Sequence, residues 1–150
     1  MVDFKLINSV HCDLTPNILA FCSFPFPSFV VLQQSNKAIS YTINGTPIKI
    51  FSDMDEKRIT SFCTFRNFTS KEYIVIGYNN GNIEIRKLPS LKIHVSYKNE
   101  RSKQEKVNLK VAVSPDAQFI LASTNGDLYM LLNIDTVNAN LSNNLGNLGF

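Results

Sequence analysis

One hundred and fifty residues carrying a net charge of +3 suit one ordinary domain with room for a core, and the charge is too small and dispersed to point to nucleic acid. Cys12, Cys22 and Cys63 are an odd number without paired spacing, which argues against a disulfide framework or a zinc site. No run approaches the roughly 20 apolar residues that span a bilayer, and "MVDFKLINSV" has no signal-peptide core, so the expectation is a soluble intracellular protein.

In chain order, the first strand signals are an opening segment from Phe4 to Val10 and "ILAFCSF" from Ile18. Then comes "FVVLQQSNKAISYTI", Phe29 to Ile43, two strand-like runs around a turn at Asn36-Lys37, followed by "PIKIF" from Pro47. The series starts again with "ITSFCTF" from Ile59 and the most legible stretch, "YIVIGYNNGNIEIRKLPSL", Tyr73 to Leu91. Asn80-Gly81 predicts a tight hairpin with positive φ at both residues, which Asn and Gly tolerate best. The run before the turn, "YIVIG", reads as a strand covered on both faces. The run after it alternates Ile83 and Ile85 with Glu84 and Arg86, the pattern of a strand with one wet face. "LKIHVSY" from Leu91 supplies a fourth strand, and "LKVAVSP" from Leu109 opens a third unit. "FILASTNGDLYMLL", Phe119 to Leu132, turns at Asn125-Gly126, and only an Asn-rich tail follows.

The turn landmarks are Asn36, Asn80, Gly81, Asn125 and Gly126, and they recur at one period. Four short strands every 40–45 residues are the signature of a propeller blade of the WD-repeat type. A β-sandwich also uses short strands but gives no reason for that recurrence. The expected fold is all-β: a partial WD-type β-propeller of about three blades, each an antiparallel four-stranded sheet. Its units run over about 11–54, 55–99 and 105–135 within a propeller segment 1–135, and 136–150 is a flexible tail. Propellers have 4–8 blades, so the chain reads as the terminal part of a larger ring. If it is complete, two copies would make a homodimeric ring of six blades.

The copies are degenerate. Where a full unit has Trp-Asp, this chain has Arg86-Lys87 and Leu131-Leu132, and Lys37 replaces the preferred turn Gly, at a cost of ~1 kcal/mol if φ stays positive there. Three segments nonetheless resemble the C-terminal WD repeats of BEACH-domain, neurobeachin-like proteins: "SYTINGTPIKIF" (Ser40 to Phe51), "IVIGYNNGNIEIRKLPSLKIH" (Ile74 to His94) and "LKVAVSPDAQFILASTNGDLYMLLNID" (Leu109 to Asp135). The resemblance covers roughly Ile18 to Asp135. It implies a large cytoplasmic scaffold of vesicle trafficking, peripheral to endomembranes, whose BEACH and PH-like domains lie upstream. The alternative is a WD-repeat subunit of another assembly, such as an RNA-processing or ubiquitin-ligase complex.

No catalytic constellation emerges. His11 and His94 lie two repeats apart, so no Ser-His-Asp or Cys-His set forms at known spacing, and His94 reads as a strand histidine. Cys22 and Cys63 read as small buried apolar residues, and Cys12 as a loop thiol. Asp53, Asp55 and Glu56 lack the Gly turn and distal Glu of a calcium loop, leaving no metal or cofactor site to name. The three Asn-x-Ser/Thr sequons, at Asn44, Asn67 and Asn140, read as chance in an Asn-rich chain. The most polar stretch, Lys98 to Lys110, offers Lys98, Arg101, Lys103 and Lys106 as a lip for an acidic partner or anionic lipid. Its mixed signs fit a solvated loop between blades better. The functional expectation is a non-catalytic scaffold that meets protein partners through loops and blade edges.

Overall fold

The computed structural model describes residues 9, 16–23, 25–33, 37–52, 57–67, 69–98, 107–124, 126 and 128–132. Among these residues every regular element is a strand, and the strands form three sheets. The first sheet holds β1 (Pro16–Cys22), β2 (Ser28–Gln33), β3 (Lys37–Thr42) and β4 (Pro47–Ser52). The second holds β5 (Ile59–Arg66), β6 (Glu72–Tyr78), β7 (Ile83–Lys87) and β8 (Ile93–Tyr97). The third holds β9 (Lys110–Val113), β10 (Phe119–Ser123) and β11 (Leu128–Leu132). Each is an antiparallel meander in chain order. The chain is thus an all-β partial propeller with blades of four, four and three described strands. Nearly all of the opening segment Phe4 to Val10, and the whole tail 136–150, lie outside the described residues.

Two dry seams hold the stack together. Between the first and second blades, Cys22, Val30, Leu32 and Ala38 meet Ile74, Ile76, Tyr78, Leu88 and Leu91. Between the second and third, Val75 and Ile83 meet Leu109, Ile120 and Ala122, with Cys63, Phe65, Ile85, Val111, Val113 and Leu131 around them. β6 therefore faces a blade on both sides, and Tyr73 through Tyr78 are all buried, as its unbroken apolar run predicts. The second and third blades come closest at their first strands. The Thr60 and Ser61 hydroxyls each donate to the Leu109 carbonyl at 2.7 Å. Gly77 opposite has no side chain, and a Cβ there would stand 3.0 Å from Leu109 Cδ2.

The hairpin at Asn80-Gly81 forms, but differently from the sequence expectation. The Gly81 N–H donates to the Tyr78 carbonyl and the Tyr78 N–H to the Asn82 carbonyl, both at 3.0 Å, closing a three-residue loop over 79–81. Only Gly81 has a positive φ, 79°. In a three-residue loop a type I turn leads into one left-handed residue, so Asn80 is spared that conformation. Its Oδ1 instead accepts the Asn82 N–H at 3.1 Å.

The turn between β9 and β10 puts a non-glycine residue where Gly81-like freedom is wanted. Ala117 has φ 57° and is buried. Ser114 holds the turn shut: its carbonyl accepts the Ala117 N–H and its hydroxyl the Phe119 N–H, both at 2.9 Å, while Asp116 Oδ1 accepts the Ser114 hydroxyl and the Gln118 N–H. These two bonds, the hydroxyl's first, hold the Asp116 carboxyl below its usual range. A left-handed alanine costs roughly 1 kcal/mol. Ala117→Gly is therefore expected to raise stability by up to about 1 kcal/mol, less whatever the unfolded chain gains in freedom. A urea midpoint that falls instead would show that the buried methyl matters more than the backbone.

Candidate functional site

Among the described residues, the buried charged groups lie in the seam between the first two blades. β7 pairs with β6 so that Glu84 lies opposite Ile76 and Arg86 opposite Ile74, and both isoleucines belong to that seam. Glu84 and Arg86 are each only 7 % exposed. This corrects the reading of their side of β7 as the wet face: it is dry, like the Ile83 and Ile85 side. Alternation shows that two faces differ, and a polar face can be buried when its charges are paired.

The pairing is complete. Glu84 Oε2 accepts the Tyr78 hydroxyl at 2.8 Å, Arg86 Nε at 2.9 Å and Arg86 Nη2 at 2.7 Å. Arg86 Nη1 goes on to the Leu91 carbonyl at 2.8 Å. Leu91 is buried and left-handed, with φ 56°, and the guanidinium bond helps to hold that carbonyl in place. Burial first, and the Glu84 carboxylate second, hold the Tyr78 phenol far above its usual range, so it stays a donor. Where a full WD unit would have its Trp-Asp pair, this blade builds its own network from Tyr78, Glu84 and Arg86. Its role is structural: every member is enclosed.

At one end of the same seam the loops come together. The Ser23 N–H donates across it to Glu72 Oε2 at 2.6 Å, while Arg66 pairs with Glu72 Oε1 at 2.7 Å. Beside them Pro25, Lys71, Glu72, Tyr73, Lys87 and Leu88 line a small cavity of about 110 Å³. Exposed Pro25, Phe26 and Pro27 stand next to it. A cavity of this size is too small for an ordinary metabolite.

Of the predicted contact residues and turn landmarks, Lys98, Asn80, Gly81 and Gly126 are among the described residues. Lys98 is exposed just beyond β8, whereas Arg101, Lys103 and Lys106 lie outside the described residues. Gly126 is exposed with open space where a Cβ would be, and Asn36 and Asn125 also lie outside the described residues. The same holds for His11, Cys12, Asp53, Asp55 and Glu56. His94 packs its ring 5.1 Å from Tyr73, which in turn stacks on Phe65 at 5.1 Å. Asn67 Oδ1 is engaged as an acceptor for the Thr69 and Lys71 N–H groups. Among the described residues no group of three or more His, Cys, Asp or Glu could hold a metal ion.

Cys22 is buried, as expected, and Cys63 is half-buried. Burial pushes the Cys63 thiol up to about 11. At pH 8 that leaves roughly a hundredth of the thiolate of an ordinary thiol. Iodoacetamide at pH 8 is expected to label Cys63 at least about ten-fold more slowly in the folded chain than in urea. Peptide mapping by mass spectrometry separates it from the other cysteines. Equal rates would mean that the seam around Cys63 opens freely.

No family model matches the chain, and no curated protein matches it. Solved structures do. A chain in the crystal structure of the Chaetomium thermophilum polycomb repressive complex 2 aligns with 77% of this chain and 26% of its own length, with TM-score 0.59 and 14% identity. The same complex with H3K27me3 and H3K27M gives TM-score 0.58 at 14% identity, again over 77% of this chain and 26% of that one. An active polycomb repressive complex 2 in the basal state gives 0.56 at 15% identity with the same coverages. The fold is that of a WD-type propeller. The chain spans about a quarter of the length of these structural neighbours.

Proposed function

We propose that the chain is a non-catalytic interaction scaffold, a WD-type component of a multiprotein complex that meets protein partners through its end loops and blade edges. What carries the reading is the match of its three-blade stack to chains of polycomb repressive complex 2, itself a multiprotein assembly. The internal chemistry agrees with it. The polar groups that a catalytic site would need free, Tyr78, Glu84 and Arg86, are spent on holding two blades together. The exposed Pro25-Phe26-Pro27 loop and the cavity beside Lys71 and Lys87 form the candidate contact surface. Lys98 lies at the far end of β8 from it, and with Arg101, Lys103 and Lys106 it is proposed as a separate basic stretch for an acidic partner.

The BEACH resemblance supports a second reading, in which the partners are those of a vesicle-trafficking scaffold in the cytoplasm, peripheral to endomembranes. It rests on segments such as Ser40 to Phe51, where β3 and β4 join through a turn with Gly45 at φ 83°. Affinity purification of the tagged chain from its own cells, with quantitative mass spectrometry, tests both. A reproducible set of complex subunits, reduced by Phe26→Asp, supports the scaffold. Recovery of trafficking proteins from a longer form of the chain bearing a BEACH region would favour the second reading. No enrichment over a tag control would sink both.

A further inference from the structure

Three loops meet at one end of the first seam, and hydrogen bonds fix them to one another. The Ser23 N–H donates to Glu72 Oε2 at 2.6 Å and the Leu88 N–H to the Glu72 carbonyl at 2.9 Å. The β1–β2 and β7–β8 loops are thus both tied to the start of β6. The β5–β6 loop is closed on itself by Asn67, whose N–H donates to the Lys71 carbonyl and whose own carbonyl accepts the Ser70 N–H. This end carries exposed cations beside an apolar patch. Lys71 and Lys87 line the same cavity as Pro25 and Leu88. Lys92 is exposed next to them, its carbonyl accepting the Lys87 N–H at 2.9 Å. Phe26 is 42% exposed between two exposed prolines. The prolines restrict the backbone on either side of the ring, which lowers the cost of ordering it against a partner.

The positive charge is not answered within the described residues, whose carboxylates are Glu72, Glu84 and Asp116. Glu84 is enclosed with Arg86, and Asp116 is bound inside the β9–β10 turn. Glu72 already holds Arg66 and the Ser23 N–H. Among the described residues none of the three pairs with Lys71, Lys87 or Lys92. Resting on the scaffold reading, we propose that this end of the first seam binds an acidic, extended segment of a partner protein. The segment's carboxylates meet Lys71, Lys87 and Lys92, and an apolar residue of it rests against Pro25 and Phe26. Exposed ion pairs each contribute little, so contact with the ring supplies the hold, while the lysines choose the sign of the partner and speed its arrival. The apolar patch within the cations favours a peptide. Nucleic acid is met by a wider basic surface, and anionic lipid by larger basic clusters. The contact is small, so it is weak and readily reversed.

Selection of a random dodecapeptide display library on the immobilised chain tests this, with fluorescence anisotropy of the enriched peptides. The expected peptides are rich in Asp and Glu, carry an apolar residue and bind less tightly as salt rises. Lys71→Glu combined with Lys87→Glu turns two attractions into repulsions and should weaken binding at least about ten-fold. Both side chains are exposed, so the circular dichroism spectrum and urea midpoint should stay as they are. Lys98→Glu, at the other end of β8, should leave binding unchanged. Enrichment of neutral or basic peptides, or of none, would overturn the proposal. So would acidic peptides indifferent to the double variant or lost with Lys98→Glu. A thymine oligonucleotide or phosphatidylserine vesicles held more tightly than any peptide, through the same two lysines, would overturn it in favour of those partners. In each of these cases complex subunits still recovered by affinity purification would leave the scaffold reading standing. Acidic peptides bound as expected, with no subunits recovered, would sink that reading alone.

Discussion

Arg86→Met is expected to cost the chain about 3–5 kcal/mol, the range for removing one partner of a buried ion pair. The number comes from what is left behind. Glu84 would remain in the seam, 7% exposed, with only the Tyr78 hydroxyl against its charge, and the Leu91 carbonyl would lose its donor. The network itself is not a large source of stability, because enclosing its charges took them from water. The triple variant Tyr78→Phe, Glu84→Leu, Arg86→Met should therefore recover most of the loss, ending within about 2 kcal/mol of the parent. Urea unfolding of the four proteins, parent, Arg86→Met, Glu84→Leu and triple, reads this directly. A triple variant as unstable as Arg86→Met would show that the network contributes by specific geometry rather than by avoiding a lone charge.

The same network gives stability a pH dependence. Tyr78 has its phenol raised in the folded chain, by burial first and by the Glu84 hydrogen bond second. A raised value means the folded state holds the proton more tightly than the unfolded one, so the contribution is complete below the ordinary tyrosine value, about 10, and is lost above it. Stability should fall by up to about 1.4 kcal/mol per pH unit in that alkaline range. Tyr78→Phe should remove that part of the slope. An unchanged slope in the variant would assign it to other groups.

Much of this architecture could be read from alternation and turns, and the point of failure is instructive. Tyr73 through Gly77 is apolar at nearly every position, and β6 has a blade on both sides. Asn80-Gly81 marked the hairpin, although only Gly81 needed the left-handed conformation. Glu84 and Arg86 misled because a period-two pattern reports that two faces differ without saying that either is wet. Ile83 and Ile85 face the third blade while the charged pair faces the first. The missing signal was pairwise: Tyr78, Glu84 and Arg86 form a closed set only once β6 and β7 are in register.

The seam between the second and third blades depends on an absence of side chain, and Gly77→Val should weaken it by roughly 3 kcal/mol, toward the upper end for overpacking. Valine is otherwise well suited to a central strand, so any loss reports packing rather than propensity. A Cβ at 77 would stand 3.0 Å from Leu109 Cδ2 and Ser61 Oγ and 3.2 Å from Val111 Cγ1. None of the three can step aside cheaply. Leu109 is 1% exposed, its carbonyl receives both the Thr60 and Ser61 hydroxyls, and Val111 is packed against the same core. The added methyls therefore push the third blade outward, lengthening those two 2.7 Å bonds and letting water toward Ile120 and Ala122. Hydrogen exchange should speed up in β9 and β10 while β2 and β3 stay protected, since the first seam is untouched. Pairing Gly77→Val with Leu109→Ala should cost less than the sum of the two alone, because the space one needs is the space the other opens. Gly77→Val tolerated within about 0.5 kcal/mol, with exchange unchanged in β9, would mean that the second and third blades are less closely joined than these distances require.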